Sequence, residues 1–165
     1  MRTIDNINGL KKSEFLSIFG NVFEKTESVA LKVFELKPFK DSDDIVSKML
    51  KIYEEYDRDK ILQILNSHPE LAIEKKLTND SKLEQTSANL NECSEEEFEE
   101  FKKLNLEYKT KFGFPFIIAV KGKNKNEILV NFRERIQNDL NKEFLEAKNQ
   151  VKKIASFRLK DILSF

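Results

Sequence analysis

Gly113-Phe114-Pro115-Phe116-Ile117-Ile118-Ala119-Val120-Lys121-Gly122 is the stretch whose reading decides the fold class of this chain. It is a short apolar run bounded by Gly and Pro, the one segment that could pass for a β-strand. A strand needs a partner for its backbone groups, and no second run of this kind occurs in the 165 residues. The segment is therefore assigned as an extended buried connector.

Working outward, both flanks read as helix. Upstream, Ser94-Glu95-Glu96-Glu97 has the form of a capping box, and Phe98, Phe101, Leu104, Tyr108 and Phe112 follow on one helical face. Downstream, helices are expected over about Lys125–Gln137 and Leu140–Leu163. Toward the N-terminus, Ser13 caps a short helix carrying Phe15, Leu16 and Phe19 that ends at Gly20, and a second runs from Glu27 to Leu36 before Pro38. Asp41 or Ser42 caps a third, with Ile45, Met49, Ile52, Tyr53 and Tyr56 at helical spacing. A fourth covers Lys60 to Ser67 and must stop near His68, because Pro69 disfavours the α region for the residue before it. A fifth starts at Thr78 or Asp80 and ends near Leu90. The expected fold is all-α, a single-domain bundle of about eight helices over residues 1–165 with a long central C-terminal helix.

Composition narrows the function. With 39% hydrophobic and 35% charged residues, the chain fits one domain able to bury roughly 70% of its unfolded surface. Lys plus Arg number 29 and so do Asp plus Glu, so no nucleic-acid field is expected. One cysteine, Cys93, and one histidine, His68, leave no disulfide framework and no zinc ligand set. Residues Met1–Leu10 lack a signal-peptide layout, the ending Leu163-Ser164-Phe165 is no peroxisomal address, and no apolar run is long enough to span a membrane. The expected compartment is the cytoplasm.

Five residues could carry chemistry. His68 stands at a helix end, and Pro69 restricts its backbone, so its ring is presented in a fixed direction; the alternative is a helix-end imidazole that binds the last carbonyls. Ser81, Glu84 and Gln85 stand at i, i+3 and i+4, with Leu77 and Ala88 extending their stripe, which turns Glu84 inward; the alternative is an exposed polar face. In the C-terminal helix the core stripe runs through Phe144, Ala147, Val151, Ile154, Ala155 and Ile162. Arg158 falls mid-stripe, about 20° around the helix from Val151. A core arginine needs an acceptor such as a buried carboxylate, a carbonyl row or an anionic ligand, unless it snorkels at the helix end. Together these groups fit a pocket for a planar, anionic, hydrogen-bonding small molecule. Arg133 and Arg135 read as surface salt bridges.

Order and spacing across the chain carry more than any one motif. Ser67-His68-Pro69-Glu70-Leu71-Ala72, Leu77-Thr78 and Ser81-x-x-Glu84-Gln85 are followed by Phe101-x-x-Leu104-Asn105-x-x-Tyr108-x-x-Lys111-Phe112-Gly113-Phe114-Pro115-Phe116-Ile117. Ala119-Val120-x-Gly122, Lys125, Glu143, Ala147, Gln150-Val151, Ile154-Ala155 and Arg158-Leu159 complete the series. In these features the chain resembles the 2-oxo-4-hydroxy-4-carboxy-5-ureidoimidazoline (OHCU) decarboxylases of urate breakdown, over nearly its full length. It departs from them at Ser28, where many relatives have tryptophan, and at Ala88-Asn89-Leu90, where Ala-Gly-Leu is usual. The transthyretin-like hydrolase sometimes fused to this family is expected to be absent.

The resemblance implies an all-helical, cofactor-free carboxy-lyase, with no metal, that converts OHCU to (S)-allantoin. It assigns His68, Glu84 and Arg158 as catalytic and Pro69, Ser81, Gln85, Phe116 and Ile117 as substrate-binding. It implies a small-molecule substrate, no nucleic acid and no membrane, and is compatible with a homodimer, for which the chain shows no interface signature. Two alternatives stay open: a non-catalytic helical binding module derived from this family, and a decarboxylase of a related imidazoline.

Overall fold

A computed structural model describes residues 3–72 and 77–164. Met1, Arg2 and Phe165, read above for targeting signals, lie outside them, as do residues 73–76. Among the described residues there are nine helices and no strand: α1 Ile4–Gly9, α2 Lys12–Phe19, α3 Ser28–Phe34, α4 Ser42–Glu54, α5 Arg58–Ser67, α6 Asn79–Ser87, α7 Glu95–Phe112, α8 Lys125–Arg135 and α9 Leu140–Leu163. The helix beyond the expected eight is α1. Its six residues are too few to show a period, and its start is marked by Thr3 and Asn6, which cap each other's backbone N–H groups. The start of α2 also differs, since Lys11 is its N-cap rather than Ser13, and Glu14 accepts the Lys11 N–H at 2.8 Å.

The helices fall into two compact units, one of Met1–Ser67 with Lys152–Phe165, the other of His68–Val151. In the first unit α3 packs on both α2 and α4. Phe15, Phe19, Phe23, Val33, Ile45, Met49 and Tyr53 are buried there, each large ring or branched chain contributing about 2–3 kcal/mol of transfer free energy. Phe15 meets the rings of Phe19, Phe34 and Phe39, and Phe23 stacks on Tyr53 at 4.7 Å. In the last turns of α9, Ile154, Ala155, Arg158, Leu159 and Leu163 are buried, whereas Ile162, expected on the core stripe, is only half-buried.

The second unit is built around rings. Tyr108 and Phe112 of α7, Phe114 and Phe116 of the connector, Phe132 of α8 and Phe144 of α9 form one aromatic cluster, in which Phe116 stacks on Phe132 at 3.8 Å with planes 7° apart. α7 ends where the sequence has Gly113, whose φ of +80° is a conformation a Cβ would strain, and the Gly113 N–H closes the helix on the Lys109 carbonyl at 2.8 Å. Residues 114–120 then run extended and buried without pairing as a strand. A buried backbone must find partners, and here side chains supply some of them: Arg135 Nη1 donates to the Ile117 carbonyl at 2.7 Å, and the Ala119 N–H donates to Gln150 Oε1 at 2.9 Å.

Candidate active site

His68 follows the last residue of α5 directly, and it is 92% buried with its Nε2 shielded from solvent. The loop that carries it is held by two amides from neighbouring helices. Gln85 of α6 accepts the Ala72 N–H on Oε1 at 3.1 Å and donates Nε2 to the Glu70 carbonyl at 3.2 Å. Asn105 of α7 donates Nδ2 to the Leu71 carbonyl at 3.0 Å. Ala72 has a φ of +53°, unusual for alanine, so these bonds hold a strained turn. Three consecutive residues after His68-Pro69 are thus tied in place.

On α6, capped by Thr78, Ser81 and Gln85 are buried, as is Ala88 just beyond its end, and Glu84 is half-buried. The expected shared face is present. Both ends of the Gln85 amide are engaged with the His68 loop, which makes positioning its first task. Asn89 takes a φ of +59°, a region Asn tolerates better than most residues. Cys93 is half-buried, and burial, with Glu97 nearby, pushes its thiol up, away from thiolate chemistry.

Phe116 and Ile117 are 99% and 97% buried. They are fixed by a residue misread above. Arg135 is no surface residue: it is 93% buried, its Nε donates to Glu143 Oε1 at 2.8 Å, its Nη2 sits 2.6 Å from the same oxygen, and its guanidinium lies 4.4 Å from the Phe116 ring centre. Glu143, fully buried, also accepts the Tyr108 hydroxyl and, on Oε2, the Asn138 amide at 3.0 Å. Burial and the bond to Glu143 push the Tyr108 hydroxyl far above its ordinary range, so it stays a donor. Arg133, by contrast, pairs with Glu100 at the surface as expected.

Arg158 belongs to the first unit and is 93% buried. Its Nη2 lies 2.8 Å from Oε2 of the fully buried Glu24, and its Nη1 donates to the Asn21 carbonyl at 2.8 Å. The acceptor that a core arginine requires is therefore a carboxylate and a carbonyl from the segment after α2. Ser28 Oγ meets the Tyr56 hydroxyl at 2.9 Å.

Sequence reasoning gave no site role to Asn105, Arg135, Glu143, Gln150 or Glu24, although Asn105, Glu143 and Gln150 stand in the family pattern. One of them carried a readable signal: Asn105 stands four residues after Phe101 and three before Tyr108, on the buried stripe of α7. No group of three or more His, Cys, Asp or Glu side chains able to hold a metal ion occurs among the described residues.

Residues 8–160 match the family described as OHCU decarboxylase. The uric acid degradation bifunctional protein of Bacillus sp. (strain TB-90) is 38% identical over 98% of this chain, which spans about a third, 32%, of that longer protein. The 2-oxo-4-hydroxy-4-carboxy-5-ureidoimidazoline decarboxylase of Haloferax volcanii is 35% identical over 98% of this chain and 96% of its own length. Among solved structures, an (S)-allantoin synthase superposes with a TM-score of 0.78 at 25% identity, over 98% of this chain and 54% of that one. With the fold, the residue order and these relatives in agreement, the chain belongs to the OHCU decarboxylase family.

Proposed function

We propose that residues 1–165 act as one catalytic domain that decarboxylates OHCU to (S)-allantoin, with His68, Glu84 and Arg158 as the catalytic residues and Pro69, Ser81, Gln85, Phe116 and Ile117 lining the substrate. The observation that carries this reading is the buried His68, set on a loop whose residues Glu70, Leu71 and Ala72 are bound by Gln85 and Asn105. A proton-transfer group must be held in place to act, and an imidazole titrates near neutrality, at about pH 6.5 when unperturbed.

In the proposed reaction the bond from the ring carbon to the carboxylate breaks and CO2 leaves. The electron pair flows toward the adjacent C=N, so the substrate is its own electron sink. The ring nitrogen that receives the pair takes a proton from solvent; the hydroxyl on the same carbon gives up its proton as a carbonyl forms, and the neighbouring carbon takes one, which sets the configuration. His68 handles these last two protons, with Pro69 fixing its backbone. Glu84 orients the ureido and ring N–H groups. Arg158, Ser81 and the Phe116–Ile117 backbone bind the oxygens over which negative charge spreads, each positioned donor contributing on the order of 3 kcal/mol to the barrier. Gln85 acts by holding the His68 loop. The reading places the protein in the cytoplasm, where a lone free thiol is ordinary, and is compatible with homodimerisation. No helix among the described residues is long and apolar enough to cross a membrane.

The test is to supply freshly generated OHCU and follow optical activity at the allantoin carbon. The wild-type chain is expected to give the S enantiomer, and His68→Ala to give only the slow racemic product while keeping its helical circular dichroism. Racemic product from the wild type, or full activity in His68→Ala, removes the assignment.

A further inference from the structure

We infer that Arg135 is a positioning residue for the substrate-binding segment: it sets the orientation of the Ile117–Ile118 peptide plane, and its partnership with Glu143 is what holds it to that task. The inference rests on the functional reading above for the identity of the ligand, but the geometry is independent of it. An extended segment with no strand partner has nothing in its own backbone to fix its peptide planes. Arg135 supplies that at the Ile117 carbonyl, 2.7 Å from Nη1. A trans peptide is planar with its C=O and N–H antiparallel, so fixing the Ile117 carbonyl toward Arg135 turns the Ile118 N–H to the opposite side. The next plane, Ile118–Ala119, is pinned separately through the Ala119 N–H and Gln150.

The guanidinium cannot drift from this position. Glu143 takes its Nε edge, Glu143 is itself held by the Tyr108 hydroxyl and the Asn138 amide, and the Phe116 ring lies against the guanidinium carbon. Arginine suits the place because its planar fork reaches a carboxylate and a carbonyl at once. Lysine, with one nitrogen, would keep the charge opposite Glu143 and give up the fork. This pairing makes Arg135→Lys the informative variant, because it separates charge balance from carbonyl orientation.

Arg135→Lys is expected to fold, to raise KM for OHCU by roughly tenfold, the equivalent of one well-placed hydrogen bond, and to change kcat much less, with the product still S. In the same variant the backbone amide resonance of Ile118, whose peptide plane contains the Ile117 carbonyl, should shift and exchange faster, while amides in the middle of α7 keep their protection. The double variant Arg135→Gln/Glu143→Gln, which leaves no buried charge unpaired, should give the same KM rise and is the comparison if lysine does not fold. Unchanged KM, or an unchanged Ile118 amide, in a folded variant overturns the inference. A wild-type chain that does not turn over OHCU overturns the functional reading instead, and the amide measurement then decides by itself whether Arg135 holds the plane.

Discussion

Glu24 has no exposed surface, and Arg158 beside it is 93% buried. Removing one charge from such a pair leaves the other stranded in a medium that cannot solvate it, which typically costs about 3–5 kcal/mol. Glu24→Gln keeps the volume and one acceptor, so the expected loss is near the lower figure, about 3 kcal/mol, read from urea denaturation at neutral pH. Glu35, whose bridge to Lys12 at 2.7 Å is more than half exposed on both sides, is the control. Glu35→Gln should cost less than about 1 kcal/mol, because water screens that pair. Equal losses would mean that the Glu24–Arg158 contact is not a buried ion pair. Arg158 was legible in the sequence because it interrupts a long apolar stripe. Arg135 was not, because α8 is short and its neighbour Arg133 does point outward, so a local pattern of two arginines hides one that faces in. Glu24 was hidden for another reason: it lies outside any helix, where no period tells inside from outside.

At the scale of elements, ends were easier to read than middles. Ser94 and Glu97 announce α7, and the structure has the reciprocal pair: the Glu97 N–H donates to Ser94 Oγ at 3.1 Å, and Glu97 Oε1 accepts the Ser94 N–H at 3.0 Å. Lys125, at the start of α8, adds its ammonium at 3.0 Å. The Ser94 backbone bond first, then Lys125, holds the Glu97 carboxyl below its usual range. A carboxyl whose folded pKa is depressed stabilises the fold at pH above its unfolded value, about 4.3, and loses that contribution as pH falls through the folded value. Glu97→Gln should therefore melt below the wild type at pH 7, and the gap should close as the solution is acidified below about pH 4. A gap that is constant with pH would show that the charge is not what the cap uses. The connector at residues 114–120 was legible for the opposite reason, that a lone strand cannot satisfy its backbone. What periodicity could not supply was the identity of the side chains that satisfy it, since Arg135 and Gln150 lie 18 and 31 residues away in sequence from the atoms they bind.

For the whole molecule, the residue inventory bears most directly on what chemistry is available. One histidine and one cysteine in 165 residues leave carboxylates as the main metal donors, and no clustered set of three metal-binding side chains is formed among the described residues. Hard divalent ions that bind through carboxylates need several oxygens converging at about 2.0–2.6 Å. The buried carboxylates do not offer such a site: Glu143 faces Arg135, Tyr108 and Asn138, and Glu24 faces Arg158. The proposed substrate, meanwhile, carries a C=N positioned to take the electron pair released with CO2, so the reaction does not require an external electron sink. The stereospecific rate should therefore survive exhaustive dialysis against a chelator, with kcat unchanged within about twofold, and added magnesium or zinc should not raise it. Loss of the rate on chelation, restored by one metal and not others, would instead point to an ion recruited with the substrate's own oxygens, and would move the burden of charge stabilisation away from Arg158. The two outcomes separate cleanly in one assay because the uncatalysed decay gives racemic allantoin, against which any residual S excess measures the protein alone.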